Sequence, residues 1–301
     1  MKTNLKSAFI LLAGATLLFS SCERDEVTVE DDANLVTEVS SDIVNADTPP
    51  RDAVTDKTVL DLIRTLEIDA GAITKGDFHL PDGTVEQRIY IGDDIVVTEA
   101  ELKAMQAIDA QSRQYRTFNL VTGNNRTIDI IGYTANDQFG LSSKGQTALS
   151  WAVANFNRLS GVSLQFNLTF GSNFSNSDMV VYDNSTNNSG SGGVAGFPNS
   201  AGQPNKFVQI YNLDGFSTNV NEHVITHEIG HSIGFRHSDW FDRLSCPTSS
   251  QGNEGTGSDG AVHVAGTPTG RDLTSIMQAC FSSNEDGEFN NNDITALRNM
   301  Y

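Results

Sequence analysis

Few residues of this 301-residue chain are histidine (six), cysteine (three), tryptophan (two) or proline (seven). With so few cysteines, a catalytic thiol has no good candidate. Basic residues are also short: 19 Lys and Arg stand against 38 Asp and Glu, for a formal charge of −19. A general nucleic-acid binder needs a basic face, so that class is excluded. The longest apolar run, from Ala8 to Phe19, falls short of the roughly 20 residues that span a bilayer.

The acidity is uneven. Residues 23–112 hold 22 of the acidic residues and 7 of the basic ones, which sets a boundary near residue 112. Before them, Lys2 and Lys6, the apolar run and "LFSSC" read as an export signal, residues 1–22. The serines before Cys22 resemble a bacterial lipobox, which implies lipidation of Cys22 and a membrane anchor; an ordinary secretory signal is the other reading. Either one takes the protein out of the cytoplasm, to a bacterial cell envelope or beyond it. In an oxidising compartment Cys246 and Cys280 are most simply a disulfide, with a thiol pair helping to hold metal as the alternative. Such a bridge would stabilise by roughly 3 kcal/mol.

Residues 23–51 are acidic, poor in aromatics and close on Pro49-Pro50, as a tether does. Residues 52–112 carry a helical stripe (Val59, Leu62, Ile63, Leu66, Ile68), a turn at "LPDG", a short strand or two, and a helix from about Glu99. That is too little for a core of its own, so this segment is expected to dock on the C-terminal part of the chain. From 113 onward, "RTFNLV", "RTIDIIGY", "VSLQFNLTF", "DMVVYDN" and "KFVQIYNL" read as strands. Residues 141–159 form a helix with Leu149, Trp151, Ala152, Val153 and Phe156 on its apolar side. Residues 184–205 read as a long surface loop, and "NNNDITALRNMY" as a last helix. The fold class is α+β.

Half of the histidines sit in "HEIGHSIGFRH". His227 and His231 are four apart and share one helix face, within reach of a single zinc ion. Glu228 can hold a zinc-bound water. Gly234 permits a left-handed turn that ends the helix, and the returning chain delivers His237. Three protein ligands leave a fourth position open, the arrangement of a catalytic zinc site. Asp239 is either an outer partner of a ligand imidazole or a loop acid, and His223 reads as a surface histidine near the helix start.

This extended motif resembles that of the metzincin zinc peptidases, and its wording is most similar to the dual-action HEIGH metallopeptidases. The resemblance covers about 113–301. It implies a twisted mixed sheet with an active-site helix and a C-terminal helix. It also implies one catalytic zinc, Glu228 as general base, and endopeptidase action on a protein or peptide substrate. Met277 in "TSIMQACF" fits the Met-turn of the clan, although a Met there also suits a plain core. "GVAGFP", ending at Pro198, resembles a matrixin loop before a strand, and 206–213 would be the edge strand that aligns substrate. Two features depart from the clan. Residues 171–222 hold no histidine, so no second zinc is implied. No Tyr comes just after Met277, so the oxyanion donor is unassigned.

Residues 23–245 lack cysteine, which excludes latency through a thiol. "YIGDDIVV" instead resembles the Phe-x-Gly-Asp motif of astacin pro-segments, which makes Asp93 (or Asp94) a candidate latency ligand; the alternative is a turn acid. Processing would then fall near Arg113–Arg116. The acidic loops permit calcium, but no ordered ligand pattern supports it. A monomer is expected. Two rival readings are a surface adhesion lipoprotein with a non-catalytic zinc site and a zinc hydrolase of a non-peptide bond.

Overall fold

The computed structural model describes residues 51–65, 73–92, 94–104, 115–255 and 261–301. All fall within one compact unit, Val39–Tyr301. Cys22, the export signal, Arg113, Leu66 and Ile68 lie outside the described residues. No helix among those described is long and apolar enough to cross a membrane.

The acidic front part builds a small antiparallel sheet in the order β1 (Asp52–Ala53), β2 (Ile73–His79), β3 (Val85–Ile91), β4 (Ile95–Val97). Gly83, at φ 84°, closes the "LPDG" hairpin between β2 and β3, with Leu80 N–H donating to the Thr84 carbonyl at 2.8 Å. Two short helices flank the sheet, α1 (Lys57–Thr65) and α2 (Glu99–Ala104). Val59, Ile73, Ile89, Ile91, Ile95, Val97 and Leu102 bury one face of this sheet, and Leu62 and Phe197 pack against them. The other face packs Phe78, Leu80, Tyr90 and Val96 against Val194 and Tyr211. Phe197, Val194 and Tyr211 come from the second half, so the front sheet shares its core with it, as expected of a segment too small to stand alone.

The second half carries a five-stranded sheet in the order β6 (Gln165–Gly171), β5 (Thr127–Tyr133), β7 (Met179–Asp183), β9 (Phe207–Tyr211), β8 (Gly192–Val194). The first four are parallel neighbours and β8 runs antiparallel to β9. Three helices complete it: α3 (Ser143–Asn157), α4 (Thr218–Ile233) and α5 (Asn291–Met300). Buried strands read as near-continuous apolar runs: "MVV" of β7 is wholly enclosed. Ile128, Ile130, Val181 and Val208 from the sheet meet Leu149, Phe156, Val224, Ile225 and Ile229 from the helices in one core. Truncating one of these large side chains to Ala would cost about 2–5 kcal/mol.

Four sequence expectations need correcting. "RTFNLV" is no strand: Arg116 makes isolated bridges to Phe235 and Val262, and Thr117 N–H donates to the Gly234 carbonyl at 2.8 Å. Trp151 is 44% exposed, because the buried face of α3 is Ala148, Leu149, Ala152, Val153 and Phe156. The Asn/Ser/Gly-rich stretch 184–205 hides β8, whose Gly192, Gly193 and Val194 are all buried. Finally, β8 and not the 206–213 segment is the outermost strand, since β9 is flanked by β7 and β8.

Candidate metal centre

The helix α4 starts where Ser217 caps it, its hydroxyl accepting from Val220 N–H at 3.2 Å. It ends at Gly234, whose φ of 114° suits only glycine. The chain then reverses and brings His237 back to the helix face that bears His227 and His231. Nε2 of His237 lies 3.0 Å from Nε2 of His231 and 3.2 Å from Nε2 of His227. Three nitrogens bound to one tetrahedral zinc at 2.0–2.1 Å would stand about 3.3 Å apart.

The outer ring nitrogens are engaged as well. Nδ1 of His227 faces the Ile276 carbonyl at 2.8 Å, and Nδ1 of His231 the Phe235 carbonyl at 2.9 Å. Those carbonyls can only accept, so both rings carry their proton on Nδ1 and aim bare Nε2 lone pairs inward. Converging lone pairs at this spacing repel one another unless a cation sits between them. The donor set therefore fits zinc.

A carboxylate joins the group. Oδ2 of Asp94 lies 2.5 Å from Nε2 of His237, 3.3 Å from that of His227 and 3.5 Å from that of His231. These four residues are buried, with their ligand atoms within 4.8 Å of one another. Asp94 arrives from the β3–β4 turn, where Gly92 has φ 68°. Burial alone would raise its carboxyl; the neighbouring imidazoles, His237 first among them, instead hold it well below the ordinary range. Asp94 of "GDD" thus stands at the histidines; Asp93 lies outside the described residues.

Glu228 is 2% exposed beside this group. Burial and the Asp94 carboxylate push its pKa well above the usual value. Its carboxylate arm runs against β8: a β-carbon on Gly193 would lie 2.5 Å from its Cγ and 2.6 Å from its Oε1. Gly193 was not singled out by sequence, because only the pairing of β8 with β9 carries it to α4.

Met277 is buried below the histidines, its Sδ 2.6 Å from where a β-carbon of Gly230 would be. The glycine of "HEIGH" is therefore the groove in which the methionine sits. The turn is pulled in by Asp293 at the start of α5, which accepts from Ser275 Oγ at 2.6 Å and Ile276 N–H at 3.1 Å. The Ile276 carbonyl then meets His227, so α5 supports the centre through two hydrogen bonds.

Two other candidates are reassigned. Asp239 does not touch an imidazole. Its carboxylate accepts from Ser245 N–H, Ser245 Oγ and Ala279 N–H at 3.0, 2.6 and 3.0 Å, tying together the chain on either side of the Cys246–Cys280 disulfide. The residue at Nδ1 of His237 is Glu254, at 2.5 Å. His223 is buried and not on the surface, its Nδ1 3.7 Å from Glu285; burial above all lowers its pKa to about 3.

The front part also occupies the sheet edge. Val96 N–H donates to the Ala195 carbonyl and Ala195 N–H to the Asp94 carbonyl, both at 2.9 Å, in a parallel bridge continuing β8.

The chain is similar to known proteins in one clear respect. The family described as dual-action HEIGH metallo-peptidase matches residues 89–301. Among curated proteins none matches the chain. Two solved structures of myroilysin are similar to it at 12% identity. "Structure of Myroilysin" covers 60% of this chain and 82% of that chain, with a TM-score of 0.38. "Crystal structure of myroilysin" covers 69% of this chain and 98% of that chain, with a TM-score of 0.39. The family match takes in the end of β3, all of β4, the three histidines and the last helix, and on it the chain belongs to the dual-action HEIGH metallopeptidases, as an enzyme of the zinc metallopeptidase kind.

Proposed function

We propose that this metallopeptidase is a zinc-dependent endopeptidase in a self-blocked form, with Glu228 as its general base. The observation that carries the reading is the convergence of Asp94 on the three Nε2 atoms, where a catalytic site would keep an open position. A zinc ion held by His227, His231 and His237 would polarise a peptide carbonyl and bring the pKa of bound water toward about 7. Glu228 would take the proton of that water at its carboxylate and pass it to the leaving amine. The outer edge of β8 would align an extended peptide by backbone pairing, and Ala195 would offer it the N–H and carbonyl now used by the Asp94–Val96 segment. In this form, Asp94 occupies the water position and β4 the substrate edge, so residues 52–112 act as an inhibitory pro-segment.

The disulfide supports an oxidising location outside the cytoplasm. Export and lipidation at Cys22 belong to the same proposal.

The test uses the full chain carrying Asp94→Ala, with and without Glu228→Gln. Each should bind one zinc per chain. Removing the base should lower casein cleavage by about 100-fold or more. Zinc bound without cleavage of casein or of a broad peptide library by either protein would overturn the endopeptidase reading.

A further inference from the structure

His237 differs from the other two ligands in where it stands. His227 and His231 ride on α4 and are oriented by the helix. His237 sits in the loop after Gly234, with no helix to fix its ring. It also differs in its outer partner. The other two imidazoles face neutral backbone carbonyls, whereas Nδ1 of His237 faces a carboxylate, that of Glu254, at 2.5 Å.

That carboxylate is costly to place. Glu254 is 3% exposed, and an isolated buried carboxylate costs several kcal/mol. Two guanidinium groups offset the cost: Nε of Arg243 lies 3.3 Å from Oε1, and Nη2 of Arg236 3.5 Å from Oε2. Arg243 itself adopts φ 49°, uncommon for a residue other than glycine, and Arg236 is anchored by donating to the Gly255 carbonyl at 2.9 Å. The backbone N–H of Glu254 donates to the Trp240 carbonyl at 2.9 Å, which pins its segment to the chain just beyond His237. Three buried charged groups, Glu254, Arg236 and Arg243, are thus arranged at one ring nitrogen.

We propose that Glu254 is a positioning residue of the metal centre: it fixes the tautomer and orientation of His237 and strengthens that ring as a zinc donor. The proposal rests on the zinc reading of the three histidines. A hydrogen bond from Nδ1–H to a carboxylate leaves the Nε2 lone pair free and makes the imidazole a better electron donor than a carbonyl partner would. Arg236 and Arg243 hold the Glu254 carboxylate in place. Of the two roles the sequence left open for Asp239, the outer partner of an imidazole falls to a residue 17 positions from His237 that only the loop closure brings in.

The test measures zinc affinity by competition with a chromophoric chelator, on the full chain and on Glu254→Gln, Glu254→Asp, Glu254→Ala and Asp239→Asn. The thermal midpoint of each is read without metal as well. Glu254→Gln should weaken zinc by about 10–100-fold. Glu254→Asp, which keeps the charge, should recover part of that loss, and Asp239→Asn should stay within about twofold of the parent. The cobalt-substituted Glu254→Gln protein should show an altered visible spectrum. If Glu254→Ala fails to fold, the Gln and Asp variants still decide. A folded Glu254→Gln protein that holds zinc within twofold of the parent, with an unchanged cobalt spectrum, overturns the proposal. A parent chain that binds no zinc would bring down the metallopeptidase reading first, and this proposal with it.

Discussion

Gly193 of β8 and Glu228 of α4 are in such close register that a β-carbon on the glycine would lie 2.6 Å from the Glu228 Oε1. The neighbour that would have to give way is the far end of a side chain, so Gly193→Ala should fold. Its cost should fall on Glu228, displaced from the histidines. In the Asp94→Ala background, kcat for peptide cleavage should drop at least tenfold while zinc stays bound. Unchanged kcat would mean that the carboxylate has room to spare, and that Gly193 does not set its position.

Gly230 and Met277 make a second close pair, with Sδ 2.6 Å from a built β-carbon. An alanine is a better helix former than glycine by about 1 kcal/mol, so an isolated α4 would gain from Gly230→Ala. Here the overpacking should win and destabilise by about 1–3 kcal/mol, seen as a lower urea midpoint. A net gain in stability would contradict the packing described.

Removal of the disulfide, by Cys246→Ser with Cys280→Ser, should lower stability by about 4 kcal/mol, given the sequence separation of 34. The contacts of Asp239 with Ser245 and Ala279 should keep the two segments close, so zinc content should not change. Loss of zinc on reduction alone would show that the bridge, and not Asp239, carries the geometry.

Glu222 lies on α4 five residues before His227, 3% exposed, its Oε1 accepting from Asn155 Nδ2 at 2.8 Å. Burial, reinforced by the Glu288 charge, pushes its pKa up to about 7. A carboxyl whose folded pKa is raised is favoured in its protonated form. Its contribution is therefore fully present below the unfolded value of 4.5 and is lost as pH rises through about 7. Glu222→Gln should thus raise the thermal midpoint at pH 8 by about 2–4 °C, on the order of 1 kcal/mol, and leave it unchanged near pH 4.5. An equal shift at both pH values would mean that the carboxyl does not titrate in this window.

The histidine cluster was legible because its pattern is local: a four-residue spacing, a helix-ending glycine and a third histidine six residues on. The α+β class, α3 and most strands follow from local periodicity, and α4 from the histidine spacing, for the same reason. What escaped notice depends on contacts distant in sequence. Gly192 and Gly193 carry no strand propensity, and β8 is a strand only because β9 offers it a ladder. Glu254 stands in a Gly- and Asn-rich segment with no pattern around it, and becomes the partner of His237 only once the loop closes. The sequence left "GDD" open between a latency ligand and a turn acid, and did not distinguish Asp94 from Asp93. That choice depends on the turn at Gly92 and the pairing of Val96 with Ala195.

The most direct measurement is the rate of casein cleavage by the zinc-loaded full chain beside that of its Asp94→Ala variant, at matched zinc content. If Asp94 fills the position that water must take, the parent should be nearly inactive and the variant at least tenfold faster. A parent that cleaves as fast as Asp94→Ala would show that the Asp94 carboxylate does not block the centre.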